Sequence, residues 1–87
     1  MSFPKALKEL RVHFCQTSPA SSGLRQFITN NYASVKAANP NLPILVREAR
    51  GIEAKVFARF EKGVEKKIVL DGLSAKEVEQ QLSSLAK

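Results

Sequence analysis

Between Leu10 and Phe14 the chain alternates strictly, with Leu10, Val12 and Phe14 apolar and Arg11 and His13 polar. Successive side chains of a strand point to opposite sides, so this pattern predicts a strand with one buried face. Past Pro19 the apolar spacing lengthens to Leu24, Phe27, Ile28 and Val35, which is the period of a helix. Cys15, the one cysteine of the chain, stands at the junction in a Cys-x-x-Ser arrangement.

The first strand is predicted over about Leu7 to Phe14, and residues 1–6 form a flexible arm ahead of it. A short polar loop, Cys15 to Ser21, leads into a helix that the hydroxyl of Ser21 or Ser22 can cap. Asn39-Pro40-Asn41 stops the helix near Ala38, because Pro40 disfavours helical dihedrals at Asn39 and has no amide hydrogen to donate. Ile44 to Glu48 reads as a second strand, so the crossover is a right-handed parallel βαβ unit. Ala54, Val56, Ala58 and Phe60 alternate with Lys55, Phe57 and Arg59 in a third strand. Glu61-Lys62-Gly63 turns the chain into a fourth strand from about Val64 to Leu70, completing a hairpin. After the Asp71-Gly72 break, Ser74-Ala75-Lys76-Glu77 has the form of a capping box, and Val78, Leu82 and Leu85, with Ala75 and Ala86, give a last helix its apolar side. The expectation is one α/β domain over residues 1–87, in the order β-α-β-β-β-α with a four-stranded mixed sheet.

Sheets covered on both faces carry nearly continuous apolar strands. Here strands one and three set Arg11, His13, Lys55 and Arg59 opposite the core positions. The two helices are therefore expected on one face, leaving the other open, basic and centred on Phe57, with Leu45 and Arg47 joining from strand two. Fourteen Lys and Arg against eight Asp and Glu give a net charge of +6. The excess lies in the first two thirds of the chain, since residues 64–87 carry four of each sign. Such a field suits an acidic protein, RNA or an anionic membrane surface. No apolar run reaches the roughly 20 residues of a membrane helix, and Met1 to Lys8 has no apolar segment of the kind a secretory signal needs. A single cysteine fits a reducing compartment or the inside of an organelle, with any organellar address internal to the chain.

A strand, a thiol at its end and a helix is how thiol-redox folds begin, and the element order resembles a thioredoxin-like fold lacking the helix over its second face. At residue level, Leu10-Arg11-Val12-His13-Phe14-Cys15-Gln16 with Ser18-Pro19, then Ser22-Gly23-Leu24-Arg25-Gln26-Phe27-Ile28, resembles a family of complex I accessory subunits. Ala38-Asn39-Pro40-Asn41-Leu42-Pro43-Ile44-Leu45-Val46-Arg47-Glu48 is similar to the next signature of that family, and Val56-Phe57-Ala58-Arg59-Phe60 to its aromatic third strand. The same domain type occurs in some mitochondrial ribosomal proteins. The resemblance implies a peripheral subunit on the matrix side of the mitochondrial inner membrane, in the hydrophilic arm of complex I. It also implies no cofactor, a role in assembly or stability, and the large iron–sulfur subunit as neighbour. Animal members of the family often pair the first cysteine with a second one directly after the Arg-Glu pair. Ala49 stands there in this chain, so no such disulfide forms.

The residues themselves offer little chemistry beyond Cys15. A thiol just ahead of a helix N-terminus can be acidified by the helix amides, which would suit a monothiol redox protein. No resolving cysteine or glutathione-binding pattern accompanies it, and residues 51–60 lack the proline that thiol-redox enzymes place beside the thiol. His13 is the only histidine, and neither a metal site nor a catalytic triad is read around it. Glu48, Glu53, Glu61, Glu65 and Asp71 are scattered, and Gly23, Gly51, Gly63 and Gly72 are isolated, so neither a carboxylate pair nor a phosphate loop is read. The expectation is a docking subunit with Arg11, His13, Arg47, Phe57 and Arg59 as partner contacts and Cys15 as a possible redox thiol. The competing expectation is a mitochondrial ribosomal protein that binds RNA through the basic sheet face.

Overall fold

A computed structural model describes residues 2–86, with the side chain of Ala86 outside the described residues along with Met1 and Lys87. Four strands, β1 (Leu7–Phe14), β2 (Ile44–Glu48), β3 (Lys55–Phe60) and β4 (Glu65–Val69), form one sheet in the order β2-β1-β3-β4. β1 and β2 are parallel, and the other two pairings are antiparallel. Helix α1 (Ser22–Ala38) makes the crossover from β1 to β2, and α2 (Ala75–Ser83) follows β4. This is the mixed four-stranded α/β arrangement that the alternation predicts, within a residue of the expected limits at every strand. The hairpin ladder continues one bond past β4 at either end, where Phe60 donates to the Val64 carbonyl and Leu70 to that of Ala54.

One face of the sheet holds the core. Leu10, Val12 and Phe14 of β1 and Val56 and Ala58 of β3 meet Leu24 and Phe27 of α1 and Val78 and Leu82 of α2. Each larger side chain buried there stabilises the fold by about 1.5–3 kcal/mol over an exposed one. Both helices therefore lie on this face. Phe3 packs against the same cluster, and its amide donates to Asn39 Oδ1 at 2.9 Å, so the arm expected at residues 1–6 is tethered to the end of α1.

The helix ends differ in how far the sequence foretold them. Ser74 and Glu77 form the expected capping box: Glu77 N–H donates to Ser74 Oγ at 3.2 Å, and Ser74 N–H donates to Glu77 Oε1 at 3.1 Å. At α1 the expected hydroxyl cap is corrected. Ser21 occupies the cap position, but its fully buried hydroxyl accepts from the Cys15 amide at 3.1 Å. The local cap goes instead to the short 3-10 turn Pro19–Ser21, where Ser18 Oγ accepts from Ala20 N–H. One turn along, a Cβ on Gly23 would stand 1.9 Å from the Leu73 carbonyl oxygen. That close approach lets the start of α1 press against the loop between β4 and α2.

Candidate functional site

Two places bring chemistry-bearing residues together: the loop around Cys15 and the uncovered face of the sheet. The loop is held from three directions. Arg25, one turn into α1, donates through Nη1 to the carbonyls of Cys15 and Ser18, both at 2.8 Å. Ser21 accepts from the Cys15 amide, and the Gly51 amide in the β2–β3 turn donates to Cys15 Sγ at 3.3 Å. Thr17 Oγ1 lies 3.7 Å from the same sulfur. The Gly51 amide, aided by the Thr17 amide and hydroxyl and the Ser18 amide, lowers the thiol pKa from 9.0 to about 7, although burial pulls the other way.

Thiolate character and access are separate matters here. Cys15 is only 3% exposed, and it is a free thiol. A nucleophilic sulfur needs room for an attacking geometry, which this one lacks in the closed fold. The arrangement fits a sulfur that organises its own loop by accepting hydrogen bonds. Sequence reasoning missed Arg25, Ser21 and Gly51 as its partners. Arg25 and Ser21 sit at helical or loop positions that look solvent-facing, and Gly51 is 36 residues away in the chain.

The open face is assembled by strand register. Arg11 of β1 stands opposite Phe57 of β3 and Leu45 of β2, and His13 stands opposite Lys55 and Arg47. Glu9 stands opposite Arg59, which in turn faces Glu65 of β4. All five expected contact residues, Arg11, His13, Arg47, Phe57 and Arg59, thus share one surface. Phe57 is its centre. The His13 ring meets it edge-on with centroids 5.3 Å apart, the Arg11 guanidinium lies 5.3 Å from its centroid, and the Lys55 ammonium lies 5.6 Å away.

The charges on this face are unevenly matched. Arg11 lies 3.2 Å from Glu9 and 3.2 Å from Glu65, and Lys67 lies 3.7 Å from Glu53. Among the described residues Arg47, Lys55 and Arg59 form no ion pair. Burial, then the charges of Lys55, Arg47 and Arg11, push the His13 pKa below its usual 6.5, so the ring is neutral at pH 7. Beside the face, Leu45 is 53% exposed on the edge strand. Among the described residues no group of three or more His, Cys, Asp or Glu is placed to hold a metal ion, and no helix is long and apolar enough to cross a membrane.

Comparison with known proteins gives this geometry its context. The family described as the mitochondrial ribosomal protein L51 / S25 / CI-B8 domain matches residues 24–75. The chain is 44% identical over 86 residues to the Arabidopsis thaliana NADH dehydrogenase [ubiquinone] 1 alpha subcomplex subunit 2, covering 99% of this chain and 89% of that protein. It is 49% identical over 86 residues to the Neurospora crassa NADH-ubiquinone oxidoreductase 10.5 kDa subunit, covering 99% and 92%. To the Mus musculus NADH dehydrogenase [ubiquinone] 1 alpha subcomplex subunit 2 it is 47% identical over 79 residues, covering 91% and 80%.

Proposed function

The chain belongs to the L51 / S25 / CI-B8 domain family and, within it, to the family of NADH dehydrogenase [ubiquinone] 1 alpha subcomplex subunit 2, and from that premise we propose that it is an accessory subunit of mitochondrial respiratory complex I that works by docking. The observation that carries this reading is identity of 44–49% to complex I subunits over nearly the whole chain. Its partners are other subunits of that complex, and its place is the mitochondrion. The finer reading puts it on the matrix side of the inner membrane, in the peripheral arm, beside the large iron–sulfur subunit.

Docking, rather than catalysis, is supported by the two sites. The thiol is acidified but enclosed and has no second cysteine to resolve a mixed disulfide. The uncovered sheet face combines an aromatic centre with unmatched cations, the composition of an interface that steers and registers a partner. Arg11, His13, Arg47, Phe57 and Arg59 are the residues we assign to it. Fusing an epitope to the chain and resolving mitochondrial complexes on a native gel tests the reading. The protein is expected to co-migrate with NADH dehydrogenase activity, and Phe57→Ser with Arg59→Ser to weaken that association while the isolated domain stays folded. Migration with ribosomal particles instead, or incorporation unchanged by the double substitution, would overturn the assignment.

A further inference from the structure

We propose that Arg47, His13 and Lys55, one cross-strand row of the open face, form the point at which an acidic polypeptide segment of the neighbouring subunit docks through its carboxylates. The inference rests on the complex I reading above and adds the chemistry of the contact. The geometry comes from register: His13 in β1 is opposite Arg47 in β2 and opposite Lys55 in β3. With strands about 4.8 Å apart, three basic side chains line up across about 10 Å.

Arg47 and Lys55 flank a neutral His13, and a proton on that ring would set three like charges side by side, which a sheet disfavours. The carboxylates of this face do not relieve them. Glu9 and Glu65 are both engaged with Arg11, and Glu53 with Lys67. Arg47 and Lys55 have no ion-pair partner among the described residues, and Lys55 leans over the Phe57 ring instead. The groups that act on His13 from β1, β2 and β3 are all cationic, namely Arg11, Arg47 and Lys55, and among the described residues both α1 and α2 pack on the opposite face. Their repulsion, added to burial, disfavours the imidazolium.

A carboxylate arriving at the row offsets the repulsion among these cations. It supplies the missing counter-charge to Arg47 and Lys55 and makes protonation of His13 favourable, so docking takes up a proton where His13 was neutral. Leu45, exposed beside Arg47 on the edge strand, gives the segment an apolar neighbour. Nucleic acid fits less well. Sheet readers of RNA stack two or three bases on exposed aromatic rings, whereas Phe57 stands alone with Arg11 and Lys55 over its ring and His13 against it.

The test uses the full chain, followed by NMR, with hexaglutamate as probe and a ten-nucleotide single-stranded RNA as comparison. Hexaglutamate is expected to shift the Arg47, His13 and Lys55 resonances first, to raise the His13 titration midpoint, and to bind more tightly as the pH falls through that midpoint. Arg47→Gln with Lys55→Gln should weaken it about tenfold, the scale of losing a hydrogen bond to a charged group. Shifts centred on Lys62, Lys66 and Lys67, an unmoved His13 titration, or tighter binding of the RNA through Phe57 would each overturn the proposal. In mitochondria, Arg47→Glu with Lys55→Glu should drop out of the NADH dehydrogenase band while its core resonances stay native. If that variant is retained, the row is refuted and the complex I reading stands. If the unaltered chain is absent from the band, that reading fails, and the peptide titration still decides whether the row takes carboxylates.

Discussion

Replacing Gly23 by Ala sets two physical effects of opposite sign against each other. Helix propensity favours Ala over Gly by about 1 kcal/mol in a helix interior, so a view confined to α1 predicts stabilisation. The tertiary contact predicts the reverse. The new Cβ would lie 1.9 Å from the Leu73 carbonyl oxygen and 2.8 Å from the Ser74 carbonyl carbon, whereas C···O contacts ordinarily begin at about 3.3 Å. More than an ångström of separation must open, and what must move is backbone. That backbone is held by Gly72 N–H donating to the Ala20 carbonyl at 2.7 Å, by fully buried Leu70, and by the capping box at Ser74. Overpacking of this kind costs about 1–3 kcal/mol, and losing the Gly72 bond adds about 1 kcal/mol or more. The net expectation is destabilisation of about 1–3 kcal/mol. A domain of this size has about 4–13 kcal/mol in all, and its Tm should fall by about 5–20 °C. Urea unfolding followed by far-ultraviolet circular dichroism measures it, with exposed Thr29→Ala as the propensity control in the same helix. A Gly23→Ala protein as stable as the wild type, or more so, would refute the reasoning.

The Cys15 cradle gives two further expectations. Because the folded thiol ionises near pH 7, below its unfolded value, its contribution to stability is complete above the unfolded pKa and is lost as pH falls through 7. The Tm advantage of wild type over Cys15→Ala should therefore grow from pH 6 to pH 9.5, and a constant difference would show that the Gly51 and Thr17 bonds do not hold a thiolate. Arg25→Ala removes two 2.8 Å bonds to the Cys15 and Ser18 carbonyls and should cost about 1–3 kcal/mol. It should also move the thiol's ionisation midpoint upward, as followed by thiolate ultraviolet absorbance; an unaltered midpoint would mean that the loop keeps its shape without the guanidinium. At the other end of the chain, Ser74→Ala takes the hydroxyl from the capping box and should cost about 1 kcal/mol in urea unfolding. No loss would place the stability of α2 in its Val78 and Leu82 packing alone.

Several features were legible because neighbouring residues decide them. Alternation in Leu10 to Phe14 and Val56 to Phe60 needs only the two-residue period of a strand, and Pro40 ends α1 by its own ring. The Ser74–Glu77 box is closed within four residues. The open face was legible for the same reason, since side chains opposite a core position must point away from it. The α1 cap was misread where a long-range claim on the same hydroxyl prevailed: Ser21 serves the Cys15 amide, not its own helix.

The amino-acid order by itself settled the element types, the single covered face and the identity of the basic residues left outside it, because each follows from periodicity over a few residues. Only the fold decided which of those residues became neighbours. The row of Arg47, His13 and Lys55 exists because a parallel pairing on one side of β1 and an antiparallel one on the other fall in a particular register. Likewise the Cys15 sulfur meets an amide 36 residues away, and Gly23 meets the backbone of Leu73. Such contacts join segments whose separation along the chain carries no local signal, and strand register and helix packing alone set their distances.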